Sequence, residues 1–82
     1  MMWTVYLVEC SDGTLYCGIA KDLAARLAKH DAGKGAKYTR GRGPVKLVCS
    51  RDGLSHGDAL RLERAVKKQP KGSKKKYLAD SR

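Results

Sequence analysis

The sequence predicts an α/β (α+β) domain in which a small three-stranded sheet is flanked by helices, in the order β-β-α-β-α with a last short helix. Two segments near the start are rich in β-branched and aromatic residues and are separated by Asp12-Gly13, a pattern typical of a hairpin. Apolar residues then recur at helical spacing in two later segments. Because a chain of 82 residues cannot support two cores, we expect residues 1–82 to form one domain.

The first two strands are expected over Trp3–Cys10 and Thr14–Ile19. The turn between them decides which side chains share a face of the sheet, since side chains alternate with period two. A two-residue Asp-Gly turn would place Tyr6 opposite Ile19 and would put Tyr6 and Tyr16 on opposite faces.

A three-residue loop, Ser11-Asp12-Gly13, gives the alternative register, with Gly13 left-handed in a β-bulge. It pairs Val8 with Tyr16, whereas the shorter turn pairs Val8 with Cys17. We favour the longer loop because it separates an almost wholly apolar face from one that carries both phenols and a glycine. The first face then holds Tyr6, Val8, Tyr16 and Gly18, and the apolar face holds Val5, Leu7, Leu15, Cys17 and Ile19.

A helix is predicted from Lys21 to about Asp31, because Leu23 and Leu27 lie one turn apart within it. Arg26 and His30 are also one turn apart, on the margin of this apolar stripe. Both side chains are therefore expected to lean toward the surface that the stripe covers.

A third strand is predicted at Val45–Cys49, followed by a turn around Asp52-Gly53. A second helix begins at Ser55 or His56 and runs to about Gln69, where Pro70 stops it.

Glu63 borders the apolar stripe of this second helix, which is an unfavourable place for a carboxylate without a partner. Lys67, one turn on, is one candidate partner. The lysine-rich segment from Lys71 is expected to form the last short helix.

The charge balance indicates a polyanionic partner. Lys and Arg number 18 against 8 Asp and Glu, a formal net charge of +10. This exceeds what solubility requires, so nucleic acid is the first candidate and a generally cationic surface is the alternative. The 3 cysteines have no Cys-x-x-Cys spacing and suggest neither a disulfide framework nor a zinc knuckle. No apolar segment is long enough to span a membrane, and we expect a cytoplasmic protein that does not bind membranes.

The order of these elements and their polar residues resembles the GIY-YIG nuclease domain, from Thr4 to about Leu78, and most closely its small stand-alone members. Thr4-Val5-Tyr6 stands where that family has Gly-Ile-Tyr, and Tyr16-Cys17-Gly18 stands for its Tyr-Ile-Gly. The substitutions keep both tyrosines and the last glycine. Many members carry a later asparagine, which this chain lacks; Gln69 is the candidate replacement.

The resemblance implies a metal-dependent DNA endonuclease. Tyr6 and Tyr16 would line the site, Arg26 would be the catalytic arginine and His30 its neighbour on the helix. Glu63 would be the single carboxylate ligand of a divalent metal, Mg²⁺ or Mn²⁺.

Phosphodiester hydrolysis requires these kinds of groups. It needs an activated water, neutralisation of charge on the phosphate, and stabilisation of the departing 3′ oxygen. The forked donors of Arg26 suit phosphate oxygens. Tyr6 is the first candidate general base, which requires that the metal or Arg26 depress its pKa from an ordinary value of about 10, or that it act through a neighbour. His30, with an ordinary pKa of about 6.5, is the rival base.

A basic, glycine-rich loop from Gly33 to Gly43 is expected either to bind the nucleic-acid backbone or to be a solvated loop. Its cations can neutralise phosphates and its tyrosine can stack on an unpaired base. The candidate binding residues are Lys34, Lys37, Tyr38, Arg40 and Arg42.

The resemblance suggests that the DNA partner is branched, damaged or partly single-stranded, in repair or processing, with recognition by shape rather than sequence. A homodimer or a protein partner is left open. The alternatives are a non-catalytic nucleic-acid-binding module and a basic domain that binds RNA or protein.

Overall fold

The computed structural model describes residues 2–31 and 45–80, and the side chains of residues 2–29 and 45–80. Over these residues the chain forms three strands and three helices, and the strands make one antiparallel sheet in the order β2-β1-β3. The elements are β1 (Trp3–Glu9), β2 (Leu15–Ala20), α1 (Leu23–Asp31), β3 (Lys46–Leu54), α2 (His56–Lys67) and α3 (Lys71–Asp80). The predicted fold class and element order, including the last helix, are confirmed.

Strand β1 is the centre of the sheet and is covered on both faces. Val5 and Leu7 pack beneath α2 and α3, whereas Tyr6 and Val8 face α1, and each of the four is at most 1% exposed. Two thin apolar layers therefore share this one strand. The first layer contains Val5, Leu7, Cys17, Ala59, Val66 and Leu78, and the second contains Tyr6, Val8 and Ala20 with Leu23 and Leu27 of α1 against them.

The hairpin has the three-residue loop. Val8 lies opposite Tyr16 and Tyr6 opposite Gly18, so the register predicted from the apolar segregation is confirmed. Gly13 has φ +84°, the left-handed conformation that the loop requires. The side chain of Asp12 stabilises the same loop.

The loop's hydrogen bonds explain how the register is fixed. Asp12 Oδ1 accepts from the backbone N and the Oγ1 of Thr14 at 3.1 and 2.7 Å. The backbone N of Cys10 donates to the carbonyl of Thr14 at 2.8 Å, which closes the ladder around the loop. Three residues are therefore held outside the strand pairing.

Strand β3 is longer than the sequence indicated, and the predicted turn at Asp52-Gly53 was wrong. These residues lie inside β3, where the pairing shifts between Trp3 opposite Leu54 and Val5 opposite Arg51. The shift inserts one extra residue, and Gly53 at φ +75° takes the left-handed conformation. A glycine of this kind serves a bulge as readily as a turn, and pairing with β1 satisfies backbone groups that a turn would leave exposed.

The ends of the helices are capped by side chains. The Oγ of Ser55 accepts from the backbone N of Asp58 at 3.1 Å, which begins α2 at His56 as predicted. Asp22 Oδ1 accepts from Ala25 N at 3.1 Å in the same way, and α1 begins at Leu23, just past the predicted start at Lys21.

The end of α2 is tied to α3. Lys74 donates from Nζ to the carbonyls of Val66 and Lys67 at 3.1 and 2.9 Å, in the last turn of α2, where the carbonyl of Val66 also accepts from the backbone N of Gln69 at 3.0 Å. This fixes the last turn of α2 beside β2.

Two further sequence expectations bear on the class of protein. The cysteines Cys10, Cys17 and Cys49 are free thiols. None of the helices in the described ranges is both long enough and apolar enough to cross a membrane.

Candidate active site

The two phenols lie side by side on the face of the sheet that α1 covers. Their ring centroids are 6.3 Å apart and the rings are inclined by 49°. Tyr6 is 1% exposed, and Tyr16, on the edge strand β2, is partly buried. The hairpin register predicted for these two residues is what brings them to one face.

The ring of Tyr6 packs directly against the backbone of Gly18. A β-carbon at position 18 would lie 2.5 Å from Tyr6 Oη and 2.7 Å from Tyr6 Cζ, far inside van der Waals contact. It would also lie 3.1 Å from Cε2 of Tyr16. Only glycine permits this approach, so the glycine that ends the second motif and the tyrosine that ends the first form one packing unit.

Arg26 and Glu63 complete the arrangement from opposite layers. Arg26 extends from α1 and is exposed, and Glu63 extends from α2 on the other side of the sheet. The charges of Arg26 and Glu63 both act on Tyr6 and on Tyr16. Four of the residues that the sequence analysis singled out therefore lie within electrostatic reach of one another.

Both phenols are neutral donors in this environment. Burial raises the pKa of Tyr6 far above its ordinary value and Tyr16 raises it further, while the charge of Arg26 lowers it without offsetting the burial. Burial also raises the pKa of Tyr16, against the lowering charges of Lys67 and Arg26. A general-base role was expected to require depression of the Tyr6 pKa by a nearby charge, and Arg26 does not produce it.

The carboxylate of Glu63 is paired with Lys67. Glu63 Oε2 lies 3.3 Å from Lys67 Nζ, one helical turn on, which confirms the partner that the sequence offered as an alternative. The Glu63 side chain is 17% exposed and that of Lys67 is 53% exposed. The Glu63 side chain is therefore mostly buried, whereas about half of the Lys67 side chain is exposed to solvent.

A divalent metal would have few protein ligands here. Within residues 2–29 and 45–80 no three His, Cys, Asp or Glu side chains converge. Mg²⁺ is commonly held by one or two carboxylates together with water and substrate phosphates. The donor set fits a metal that Glu63 holds jointly with a bound phosphodiester, and it does not form a closed cage.

A basic cleft runs from Arg26 along α1 and was missed by the sequence analysis. Lys21 Nζ lies 5.2 Å from the ring centroid of Trp3, and the ring of His56 stacks on Trp3 at a centroid distance of 4.3 Å. The lining residues are Trp3, Ala20, Lys21, Asp22, Ala25, Arg26 and Lys29. The helical spacing of Lys29, three residues after Arg26, was the signal that could have found part of this cleft.

Several predicted residues cannot be placed beside these. His30 belongs to α1, but its side chain lies outside the described residues. The loop residues fall in 32–44, also outside them: Lys34, Lys37, Tyr38, Arg40 and Arg42. Their roles in catalysis and DNA binding stay predictions.

Comparison with known proteins gives a family-level match along nearly the whole chain. A family model for the GIY-YIG catalytic domain matches residues 2–77. A UPF0213 protein of Nitratidesulfovibrio vulgaris is 45% identical over 78 residues, which are 95% of this chain and 71% of the relative. A UPF0213 protein of Staphylococcus epidermidis is 45% identical over 76 residues, covering 93% of each chain.

Solved structures support the same fold. The solution NMR structure of a UPF0213 protein from Bacillus halodurans is 43% identical, with a TM-score of 0.59 over 96% of this chain and 84% of that one. The solution NMR structure of a protein from E. faecalis is 32% identical, with a TM-score of 0.66 over 96% of this chain and 84% of that one.

Gly18→Ala is expected to destabilise the protein. The added methyl group must displace the buried Tyr6 ring, and such overpacking costs about 1–3 kcal/mol. Urea denaturation measures the effect. Gly72→Ala is the matched control, because a β-carbon there meets no atom within 4 Å and lies in the helix α3. Equal free energies of unfolding for the two variants would show that Tyr6 does not rest on Gly18.

The Tyr6→Phe variant is expected to lose less stability than wild type as the pH rises above about 10. The phenol ionises near pH 10 in the unfolded chain but keeps its proton in the native protein, so the unfolded state binds fewer protons above that pH. Wild-type stability should be independent of this group below about pH 9 and fall by up to ~1.4 kcal/mol per pH unit above about pH 10.

Urea unfolding between about pH 8 and about pH 11 measures this slope. Tyr77→Phe, which removes an exposed phenol on α3, is the control and should keep the wild-type slope. If Tyr6→Phe loses stability as steeply as wild type does, the phenol of Tyr6 is not the buried, protonated group described above.

Proposed function

The chain belongs to the GIY-YIG catalytic-domain family, and on that premise we propose that it is a divalent-metal-dependent endonuclease that hydrolyses phosphodiester bonds in DNA. The observation that carries the proposal is the pair of phenols, Tyr6 and Tyr16, on one face of the hairpin and within electrostatic reach of Arg26 and Glu63. A purely structural hairpin would not need two neighbouring phenols, one of them fully buried, that are exposed to the charges of a guanidinium and a carboxylate.

Each of these side chains has a distinct task in the proposal. Arg26 binds non-bridging phosphate oxygens, because its exposed guanidinium presents planar, forked donors. The phenols of Tyr6 and Tyr16 keep their protons, so they donate hydrogen bonds that orient the phosphate or the attacking water.

The remaining tasks fall to Glu63 and to a proton acceptor. Glu63 would hold a divalent metal together with the substrate phosphate, and the bound metal would supply Lewis-acid stabilisation of the departing 3′ oxygen. His30 is the proposed acceptor of the water's proton, because its ordinary pKa of about 6.5 suits that task at neutral pH, whereas burial disfavours it for Tyr6.

The partner follows from charge and size. A net charge of +10 and the cleft along α1 favour a polyanion bound through its phosphates. So small a domain has little surface for reading base edges, which favours recognition of shape. Branched, damaged or partly single-stranded DNA is the proposed substrate class, in repair or processing, and Lys34, Lys37, Tyr38, Arg40 and Arg42 are proposed to extend the binding surface.

Cleavage assays test the enzymatic proposal. Wild type should nick branched, nicked or single-stranded DNA with Mg²⁺ or Mn²⁺. Arg26→Ala and Glu63→Gln should each lower the rate by about 10²-fold or more, since each removes stabilisation of charge in the transition state. Tyr6→Phe should lower it as well. Arg64→Ala removes an exposed charge from the same helix as Glu63 and should cleave at the wild-type rate. Wild-type cleavage no faster than that of Arg26→Ala and Glu63→Gln would end the nuclease proposal.

A non-catalytic nucleic-acid-binding module is the second candidate, favoured by the basic cleft alone. In either case the double variant Lys21→Gln with Lys29→Gln should weaken DNA binding. The slope of log K against log salt should become shallower by the equivalent of about two phosphate contacts. Fluorescence anisotropy with EDTA present measures this without cleavage.

The matched control for the binding experiment is Lys71→Gln with Lys76→Gln on α3, which removes the same charge from the opposite side of the sheet. Equal slopes for the two double variants would show that the cleft contributes only general charge. RNA that outcompetes DNA would favour the RNA-binding alternative.

A further inference from the structure

The carboxylate that the site offers to a metal already has a cation beside it. Glu63 Oε2 and Lys67 Nζ are 3.3 Å apart, and the acid is 17% exposed. A divalent ion that binds Glu63 has to approach the same carboxylate group, close to the ammonium of Lys67. The ammonium of Lys67 and the metal are therefore competitors for one carboxylate.

Lys67 is close to the phenols as well as to the acid. It lines a cavity beside β2 together with Leu15, Tyr16, Cys17 and Lys74. The pKa of Cys17 is raised to about 12, mainly by burial and also by the charge of Glu63, while the charge of Lys67 opposes this rise. The pKa of Tyr16 responds to the same pair of charges. The ion pair therefore lies within the candidate site and is not an isolated pair on the outer surface of α2.

The neighbouring ammonium group is held elsewhere. Lys74 donates to the carbonyls of Val66 and Lys67 and so caps the end of α2. Among the hydrogen bonds and ion pairs of the described residues, the ammonium of Lys67 pairs with Glu63 and does not bind a backbone carbonyl as Lys74 does. The Lys67 side chain is 53% exposed and has a flexible four-carbon stem. It can leave Glu63 without disturbing the helix.

We propose that Lys67 is a positioning residue that holds the Glu63 carboxylate until a divalent metal and a DNA phosphate displace it together. The inference rests on the proposed function for the presence of a metal and DNA. The phosphate offers the released ammonium a new partner and offers the metal additional oxygen ligands. Metal binding and DNA binding are then coupled through Lys67, and the coupling is reciprocal.

The competition between Lys67 and the metal is tested by titrating the protein alone with Mn²⁺. The electron paramagnetic resonance signal of free Mn²⁺ measures how much of the ion is bound. Lys67→Met removes the ammonium but keeps the length of the side chain, and it should bind Mn²⁺ about threefold to tenfold more tightly than wild type. Lys67→Arg keeps a cation beside Glu63 and should return the affinity to near the wild-type value.

Two controls separate this effect from general charge. Arg64→Met makes the same change in net charge on the same helix and should stay within about twofold of wild type. Glu63→Gln should abolish the binding. The Lys67→Met protein should also gain more thermal stability from Mn²⁺ than wild type gains, because its carboxylate lacks a partner until the ion binds.

A second arm tests the coupling to DNA. In an Arg26→Ala background, which the cleavage proposal expects to cut DNA at least about 10²-fold more slowly, a branched oligonucleotide should increase Mn²⁺ affinity more with Lys67 present than with Lys67→Met. An equal increase in Mn²⁺ affinity in the two proteins would contradict the proposed displacement of Lys67 from Glu63.

The possible failures are distinguishable. Mn²⁺ binding that Glu63→Gln abolishes, but that Lys67→Met strengthens no more than Arg64→Met does, overturns this inference and leaves the proposed function standing. Mn²⁺ binding that is the same in Glu63→Gln as in wild type and Lys67→Met overturns both this inference and the assignment of Glu63 as the metal ligand.

Discussion

The contact between the ring of Tyr6 and the backbone of Gly18 is the constraint on which the rest of the site depends. It exists because Tyr6 lies opposite Gly18 on a strand that is covered on both faces. A slip of one residue would turn Tyr6 toward α2 and α3, and would turn Val5 and Leu7 toward α1. The same register sets Tyr16 beside Tyr6, so folding of the hairpin and assembly of the phenol pair are one event.

The thinness of the domain explains how residues from opposite layers act on the same phenols. The sheet has three strands, and β2 is its edge. The guanidinium on α1 and the carboxylate on α2 lie on opposite faces of this sheet, and the charges of both act on Tyr6 and Tyr16. Lys74, which ties the end of α2 to α3, fixes the segment that carries Glu63 and Lys67. Small size is therefore part of how the site is built.

The parts of this fold that local chemistry decides were predictable from the sequence. Segregation of apolar and phenolic residues set the hairpin register, and Ser55 and Pro70 bounded α2 well. The turn at Asp52-Gly53 was wrong because a left-handed glycine suits a bulge equally, and only pairing with β1 decides between them. The raised pKa of Tyr6 and the stacking of His56 on Trp3 depend on burial and on contacts between distant segments, which residue spacing does not contain.

The positive charge around Glu63 opposes the binding of a divalent metal at this carboxylate. A chain with a net charge of +10 attracts DNA and repels divalent cations. Lys67 lies beside Glu63, Lys67 and Lys74 line a cavity with Tyr16, and the charge of Arg26 acts on both phenols. One carboxylate, already paired, does little to reverse that field. Bound DNA offsets it more strongly, because several of its phosphates bring negative charge to the region where the metal must bind. For a site of this composition, a substrate that completes the metal's ligands also removes the repulsion that opposes it, so the substrate has to be regarded as part of the metal site.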